Sequence, residues 1–553
     1  MPEHILVCVA WPYAAGYLHA GGIAGAYLPA DVFGRYHRAK GNLVLMVSGS
    51  DQHGTPITVT AEQEGRSPKE VAEFYHESFL ESWQKLGISY DLFTKTETEN
   101  HKQVAHDIFL TLLNKGYIHK EVMQSLYCER CHRYLPDRYV EGKCPYCGAP
   151  GARGDQCDVC GKPLNSIDLL EPHCRFCGHT PEIRDTEHFF LDLGAFEARL
   201  RAWVDRQAHW RPNVRAFTLN ILNSGLRSRP ITRDIDWGIS VPLPGFESKR
   251  IYVWFEAVIG YLSASIEWAQ RQGQPEKWRE WWQQEAKTYY FIGKDNIFFH
   301  TVIWPAMLMG HGDYNLPYDV PANEFLNLEG QKISKSRHWG VWIPDYLSRY
   351  EPDPLRYYLA ANAPETSDSD FTWREFVRRN NDELVATYGN LVHRVLTFTY
   401  RNFDRQVPKP ANLEEADKAM LDRARATLTV VDGLLAGCQF KAALREIMGL
   451  AQEANRYLDA RAPWKQIKAD RPAAATSLFV ALQVINALKL LFYPFLPFSS
   501  QRLQGYLGYN EPIGPGDWRW SELPAGQVLR DPTPLFKKLD ETLAEEEVAR
   551  LGK

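Results

Sequence analysis

The stretch HILVCVAWPYAAGYLHAGG, at positions 4–22, decides the fold of the first part of this chain. It begins with an apolar run, Ile5 to Ala10, and continues as a loop of small residues, after which apolar residues recur at helical spacing. A second apolar run, Leu43 to Val47, ends in the polar turn SGSDQHGTP. Strand, helix and strand in this order predict a parallel α/β sheet. Both polar loops lie at carboxyl ends of strands, where such sheets bind ligands.

The same pattern returns further along the chain. TYYFIGKD, at positions 288–295, predicts a strand with a polar end, and FFHTVIWPAMLMG predicts the helix after it. NEFLNLEGQKISKS, at positions 323–336, predicts a strand, a turn at Glu329–Gly330 and a loop. From about Glu375 glycine is sparse and apolar residues recur about every 3.6 positions, which predicts a helical bundle. We expect the tail KKLDETLAEEEVARLGK to be a solvated helix.

Length and charge limit the possible classes of protein. At 553 residues the chain is too long for one domain. The net charge of −5 argues against a generally basic nucleic-acid coat, but not against a local basic face. No apolar run approaches the roughly 18–20 residues that a membrane span needs, and the first residues do not have the pattern of a signal peptide. We therefore expect a cytosolic protein without a membrane segment.

Eight of the ten cysteines form four C-x-x-C pairs. The pairs are Cys128–Cys131, Cys144–Cys147, Cys157–Cys160 and Cys174–Cys177. Two such pairs complete the tetrahedron that Zn²⁺ accepts, so we predict two structural zinc sites rather than redox centres or disulfides. Gly148, Gly161 and Gly178 follow three of the pairs, as in a knuckle that needs a positive φ. The spacing leaves two connectivities open, sequential or nested. Cys8 and Cys438 are predicted to be small core residues.

His19-Ala20-Gly21-Gly22 resembles the first signature of class I aminoacyl-tRNA synthetases, usually written HIGH. Two glycines at a helix N-terminus let a nucleotide phosphate approach the backbone. The resemblance implies that His19 donates a hydrogen bond to phosphate oxygens in the transition state. Glycine at the fourth position departs from the family, which has a second histidine there, and leaves open what supplies that contact.

Lys332-Ile333-Ser334-Lys335-Ser336 resembles the second signature of the same class, KMSKS. Its two lysines can neutralise charge as pyrophosphate leaves. The turn Gly293-Lys294-Asp295 also matches, and Asp295 would accept a bond from the ribose. The resemblance implies that ATP, with Mg²⁺, contacts Gly21, Gly22, Gly293, Asp295, Lys332, Ser334 and Lys335.

The segments AWPYA, SGSDQHGTP, YVWFEAVIGY and FIGKDNIFFHTVIWPAML together resemble methionyl-tRNA synthetases. By that resemblance Asp51 binds the ammonium group of methionine. The side-chain pocket would comprise Trp11, Tyr13, Trp254, Ala257, Tyr261, Phe299 and His300. Aromatic walls suit a thioether, and a tyrosine or histidine can place a weak donor near its sulfur.

Two features of the bundle match the family's anticodon-binding domain. Asn390 and Arg394 are spaced i, i+4, opposite the apolar stripe from Leu384 to Val395. An amide and a guanidinium can read the bases of a single-stranded loop, and Trp464 can stack on one. The resemblance implies recognition of a CAU anticodon in tRNA(Met).

The fold implied is α/β: a Rossmann-like parallel-sheet catalytic domain, split by a zinc-knuckle insertion and followed by an α-helical anticodon-binding bundle. We assign the catalytic halves to 1–116 and 230–325, the insertion to 117–229, the lysine-loop linking domain to 326–378 and the bundle to 379–553. The implied enzyme is a monomeric ligase that forms methionyl-adenylate and charges tRNA. Two rivals are a synthetase for another amino acid and a catalytically silent RNA-binding zinc protein.

Overall fold

Five parallel strands form the central sheet of the computed structural model, which describes residues 2–154, 157, 159–160, 162, 164–312, 314–335 and 337–553. In spatial order they are Ala322–Asn323, Ala286–Gly293, His4–Val9, Leu43–Ser50 and Leu92–Lys95. The order reverses at His4–Val9, which pairs with Leu43–Ser50 on one side and with Ala286–Gly293 on the other. Ligands bind such sheets in the crevice at this reversal, beyond the carboxyl ends of the strands. The predicted parallel α/β sheet is confirmed.

Alternate residues of the first strand pack into two different cores. Ile5 and Val7 belong to the hydrophobic cluster on one face of the sheet, and Leu6 and Cys8 to the cluster on the other. A strand buried on both faces is an uninterrupted apolar run, which is why the sequence reveals it. The helices that cover the sheet are Leu28–Lys40, Thr55–Glu64, Pro68–Leu86, Glu99–Asn114, Val253–Arg271 and Trp304–His311, with π-helical turns at Ile23–Tyr27 and Phe299–Ile303.

An insertion separates the strand Leu92–Lys95 from the strand Ala286–Gly293. Its main antiparallel sheet comprises Arg229–Pro230, Glu182–Leu191, Ile118–Cys128 and Arg133–Tyr134. A smaller sheet comprises Ala152–Arg153, Val140–Lys143 and Leu170–Cys174. Thr232–Arg233 pairs with Arg250–Ile251, and the helices of this region are Glu197–Val204 and Pro212–Asn223.

The segment that carries the lysine loop has a three-stranded sheet of its own, formed by Gln331–Lys332, Leu326–Leu328 and Ser369–Phe371. The predicted turn is confirmed, since Glu329 and Gly330 have φ of 48° and 73°. Helices Ile343–Arg349 and Pro352–Ala361 follow the loop. The predicted bundle is confirmed; its helices are Trp373–Arg379, Asn390–Asn402, Glu415–Ala436, Phe440–Arg461, Pro463–Gln466, Arg471–Phe492, Pro497–Tyr506 and Leu543–Val548, with a π-helical segment at Asn380–Gly389.

The helix Arg471–Phe492 corrects one expectation. With 22 residues and a mean hydropathy of 1.7 over its most apolar window, it is long and apolar enough to cross a membrane by length and composition. Gln483, Asn486 and Lys489 interrupt the apolar run in the sequence, which hid this property. The whole window is buried within the protein. A helix that is apolar all round suits the centre of a bundle.

The C-terminal tail is a second correction, because it is not wholly solvated. Glu547, on the last helix, is 5% exposed. It forms an ion pair with Arg349 and accepts a hydrogen bond of 2.7 Å from the hydroxyl of Tyr350. Further on, the backbone N–H of Gly552 donates to the carbonyl of His338 at 3.2 Å. The tail therefore packs on the segment that carries the lysine loop.

Candidate active site

The two signature loops lie against each other. A Cβ placed on Gly16 would lie 2.7 Å from the Nζ of Lys335, and one on Gly21 would lie 3.0 Å from the Cδ1 of Ile333. The strand-like segment after the lysine loop holds this arrangement, since the N–H of Ala20 donates to the carbonyl of Val341 at 2.9 Å. Loops far apart in sequence thus meet at the carboxyl edge of the sheet. Ser336, the last residue of the second signature, lies outside the described residues.

His19 caps the short helix that begins at the first signature. Its Nδ1 accepts a hydrogen bond of 3.3 Å from the N–H of Gly22. Burial, and then the charge of Lys335, lower the pKa of His19 to about 4, so the ring is neutral at pH 7. Since Nδ1 accepts, the proton of the neutral ring resides on Nε2. This N–H is the donor that remains for a ligand oxygen.

Lys335 points its ammonium into the site although much of the residue is exposed. Removal of water from the ammonium, and then the like charge of Arg138, lower the pKa of Lys335 to about 8. Arg138 belongs to the cysteine-rich insertion, so that insertion reaches the lysine loop. Lys332, the other signature lysine, lies 5.8 Å from the centre of the Phe325 ring.

The turn after the strand Ala286–Gly293 places an acidic group beside the same crevice. A Cβ on Gly293 would lie 2.7 Å from the Oδ1 of Asp295, so a side chain at this position would displace the carboxylate. Lys294, between them, donates to Glu324 at 2.7 Å and to Asp368 at 2.8 Å. Lys294 therefore anchors the turn, while Asp295 is available to a ligand.

The residues predicted for the methionine pocket come together. Their ring pairs are Trp254–Phe299, stacked at 4.6 Å, Tyr261–His300 at 5.6 Å, Tyr13–Trp254 at 5.9 Å and Trp11–Tyr261 at 6.5 Å. Trp11 also packs on glycine: a Cβ on Gly49 or on Gly260 would lie within 2.6 Å of its ring. Ala257 is 8% exposed in the same wall. The walls are aromatic, as expected for a thioether.

Tyr261 and His300 form a hydrogen bond with each other at the end of this pocket. The Nδ1 of His300 donates to the carbonyl of Asn296 at 2.9 Å, and burial lowers the pKa of His300 to about 4. The neutral ring therefore accepts at Nε2, where the hydroxyl of Tyr261 donates at 2.8 Å. Both hydrogens are committed within the protein. The pocket consequently presents aromatic surface and the Tyr261 oxygen to its ligand.

Asp51 is a buried acidic residue whose side chain accepts a backbone hydrogen bond. It is 3% exposed, and its Oδ1 accepts a bond of 3.3 Å from the N–H of His53. Burial, and then the charge of Glu256, raise the pKa of Asp51 well above its ordinary value. A ligand ammonium placed here would restore the charged form. Asp51 also pairs with Tyr13 through the backbone, which links it to the pocket.

Sequence reasoning missed an ionic network next to Asp51. The Nδ1 of His53 lies 2.9 Å from the Oε1 of Glu256, and its Nε2 lies 2.6 Å from Glu97. Burial alone would lower the pKa of His53, but the two carboxylates raise it to about 10, so the ring is charged. His101 lies 3.3 Å from the other oxygen of Glu256. One signal was present: Glu256 interrupts the apolar segment YVWFEAVIGY.

The cysteine pairs form two nested tetrads: Cys128, Cys131, Cys174 and Cys177, and Cys144, Cys147, Cys157 and Cys160. Within each tetrad the ligand atoms lie within 4.8 Å of one another, and facing sulfur atoms are 3.5 to 3.8 Å apart. A tetrahedral Zn²⁺ with Zn–S bonds of about 2.3 Å separates its sulfurs by about 3.8 Å. The donor sets therefore fit zinc.

Other cysteine and glycine predictions have clear outcomes. Gly148 and Gly178 have φ of 73° and 69°, as expected of knuckles, and Gly161 lies outside the described residues. Cys8 and Cys438 are buried core residues, as predicted.

The predicted anticodon residues lie together on the bundle. The guanidinium of Arg394 lies over the ring of Trp464, 4.3 Å from its centre. Asn390 is exposed one turn earlier on the same helix, while Leu384 and Val395 of the apolar stripe are buried. An amide, a guanidinium and an indole thus share one face.

Comparison with known proteins decides the family. A family model described as "tRNA synthetases class I (M)" matches residues 5–396, and one described as "Anticodon binding domain of methionyl tRNA ligase" matches residues 407–552. A methionine–tRNA ligase of Thermomicrobium roseum is 58% identical over 579 residues, covering 100% of this chain and 99% of the relative. The chain belongs to the methionine–tRNA ligase family. A methionine–tRNA ligase of Dehalococcoides mccartyi, 59% identical over 552 residues, covers both chains completely.

A solved structure agrees with this family. The methionyl-tRNA synthetase of Mycobacterium tuberculosis in complex with methionyl-adenylate has a TM-score of 0.80 and 25% identity, over 97% of this chain and 99% of that one. The predicted fold and the predicted class of enzyme, an aminoacyl-tRNA synthetase, are confirmed. A class I synthetase for another amino acid, or a catalytically silent RNA-binding zinc protein, does not fit these relatives.

Proposed function

We propose that this chain activates L-methionine with ATP and transfers it to the 3′-terminal adenosine of tRNA(Met). The observation that carries the proposal is the contact between the two signature loops. Gly16 and Gly21 of the first loop touch Lys335 and Ile333 of the second, at the carboxyl edge of the sheet. The aromatic pocket opens at the same edge, so an amino-acid carboxylate and a triphosphate can meet there.

The site holds methionine at both ends, by its ammonium group and by its thioether. Asp51 accepts the ammonium group, which replaces the solvent that burial has removed from this carboxylate. The thioether lies between the rings of Trp254, Tyr13 and Trp11, where sulfur gains from contact with aromatic rings. The neutral Tyr261–His300 pair closes the pocket without presenting a charge. Branched aliphatic side chains fit these walls less well, since shape provides most of the discrimination.

The chemical step is displacement at the α-phosphorus of MgATP. A carboxylate oxygen of methionine forms the new bond, and the bond from the α-phosphorus to the bridging oxygen breaks, releasing pyrophosphate. The Nε2–H of His19 donates to a phosphate oxygen, and Lys332 and Lys335 neutralise charge on the leaving group. Such a step depends on positioning and electrostatics more than on a protein base. Gly21 and Asp295 hold the phosphate and ribose, with Gly22, Gly293 and Ser334 at the loop backbones.

The remaining features serve tRNA and the shape of the enzyme. Asn390, Arg394 and Trp464 contact the CAU anticodon by base-edge hydrogen bonds and stacking. Zn²⁺ fills both cysteine tetrads and, with all four positions occupied by sulfur, supports the insertion rather than catalysis. We further propose a cytosolic monomer with the domain boundaries assigned from the sequence.

Aminoacylation tests the whole proposal. Purified protein, MgATP, labelled methionine and a tRNA with a CAU anticodon should give acid-precipitable label. The same tRNA with the anticodon changed serves as the matched control and should be charged at least about tenfold less well, because each lost base contact weakens discrimination. Equal charging of both tRNAs would contradict anticodon recognition, and no charging of either would contradict the function.

A further inference from the structure

Gly22 lacks a side chain at a position whose backbone would accept one. Its φ of −65° and ψ of −40° are ordinary α-helical values, so backbone conformation does not require glycine. A Cβ placed on Gly22 would instead lie 3.2 Å from the Cε2 of Tyr27, tighter than an optimal carbon contact of about 3.5–4.0 Å. The ring of Tyr27 occupies the space into which a side chain at position 22 would extend.

Tyr27 ends the π-helical turn Ile23–Tyr27, and π-helical turns often occur at functional sites. The carbonyl of Ala24 in this turn accepts a hydrogen bond of 2.9 Å from the side chain of Asn323, on the edge strand of the central sheet. The ring of Tyr27 packs on Trp83 with 4.8 Å between centres. The turn and the ring are therefore fixed in place.

The hydroxyl of Tyr27 has no hydrogen-bond partner among the described residues, although the residue is only 6% exposed. Burial and then the charge of nearby Asp295 raise the pKa of Tyr27, so the hydroxyl keeps its proton. Tyr27 also lies close enough to Tyr261, in the methionine pocket, to influence the titration of that phenol. The hydroxyl oxygen itself is not fully buried, so an acceptor on a ligand can reach it and form the hydrogen bond that no described residue provides.

We propose that the hydroxyl of Tyr27 donates a hydrogen bond to ATP where the ribose joins the α-phosphate. This inference rests on the proposed function, because the nucleotide is the ATP of methionine activation. The ring of Tyr27 lies against position 22, and the charge of Asp295 acts on its hydroxyl. These two residues are the groups assigned to phosphate and ribose. Tyr27 would thus be a catalytic residue, occupying the volume that a side chain at position 22 would otherwise fill.

The substitution Tyr27→Phe removes the hydroxyl and keeps the ring against Trp83. We expect kcat/KM for ATP in methionine-dependent pyrophosphate exchange to fall about tenfold or more, with KM for methionine unchanged. The matched control is Tyr90→Phe, which loses a hydroxyl from another ring that contacts Trp83 and should leave both constants unchanged. Wild-type kcat/KM for ATP in Tyr27→Phe would overturn the proposal.

A second pair of variants tests whether a side chain at position 22 can take over the role of the Tyr27 side chain. Gly22→His should lose activity, because its side chain meets the Tyr27 ring. Gly22→His combined with Tyr27→Leu places an imidazole donor in the vacated space, and we expect the double variant to be more active than either single variant. A double variant no more active than the better single variant would argue against a shared role.

Titration calorimetry with ATP alone separates this inference from the proposed function. If the wild type binds ATP but activates no methionine, the proposed function fails. In that case a weaker affinity of Tyr27→Phe for ATP would still support the Tyr27 contact, and an unchanged Kd would overturn the contact. Absence of ATP binding by the wild type would overturn both.

Discussion

The Nδ1 of His53 lies 2.9 Å from the Oε1 of Glu256, and both side chains are fully buried. The opposite nitrogen of His53 lies 2.6 Å from Glu97, which Lys102 also contacts at 2.7 Å. Burial by itself would raise the pKa of Glu97, but His53 and Lys102 lower it to about 2. A charged imidazole between two carboxylates therefore supports the wall beside Asp51.

Replacing that imidazole should destabilise the fold. His53→Gln keeps polar atoms in place but removes the positive charge, which leaves Glu256 buried without its main partner. Breaking such a pair costs about 3 kcal/mol. Chemical denaturation should detect this loss. His106→Gln, whose partly exposed ring forms a hydrogen bond of 2.9 Å with the carbonyl of Ser240, should change stability little. Similar stability of the two variants would refute the role of the network.

The pH dependence of this loss follows from the direction of the shift. The pKa of His53 rises from 6.5 in the unfolded chain to about 10 in the folded protein. Its contribution is therefore fully present below pH 6.5 and disappears as pH rises through about 10. The difference in unfolding free energy between wild type and His53→Gln should shrink over that interval. A difference that is constant from pH 6 to about 10 would contradict a charged His53.

The lowered pKa of Lys335 should make kcat/KM for ATP depend on pH. Because the pKa of Lys335 lies at about 8, the ammonium loses its proton as pH rises above that value and no longer neutralises phosphate. In the free enzyme kcat/KM for ATP should fall above about pH 8. Lys335→Arg keeps its charge at all these pH values, so its profile should stay flat. Parallel profiles for the two proteins would exclude Lys335 as the titrating group.

Two double variants distinguish nested from sequential zinc sites. Cys131 and Cys177 share one tetrad, so replacing both with serine should leave one zinc per chain by elemental analysis. Cys131 and Cys144 belong to different tetrads, so their double replacement should remove both ions. Sequential pairing would give the opposite result for each variant.

Features of the site formed by residues close together in the sequence could be predicted, and features formed by residues far apart could not. The signature around His19 and the lysine loop around Lys335 are short contiguous motifs, so the sequence alone indicated them. The network of His53, Glu97 and Glu256 spans more than two hundred positions and has no period. Likewise, C-x-x-C spacing sets each knuckle but not which knuckles share an ion, because that choice depends on how strands fold back.

Arg394 should affect only the tRNA step. Arg394→Ala removes the guanidinium that lies over Trp464, and kcat/KM for tRNA should fall about tenfold or more while pyrophosphate exchange is unchanged. Arg401→Ala, on an exposed position of the same helix, is the matched control and should charge tRNA normally. A parallel loss of exchange in Arg394→Ala would indicate a folding defect instead of lost recognition.

Pyrophosphate exchange with single amino acids measures the activation step itself. With MgATP and labelled pyrophosphate, we predict exchange that depends on methionine, is at least about tenfold slower with leucine, isoleucine or valine, and falls about a hundredfold or more in Lys335→Ala. Exchange that another amino acid supports as well as methionine does, or that Lys335→Ala leaves intact, would contradict methionine activation between the two signature loops.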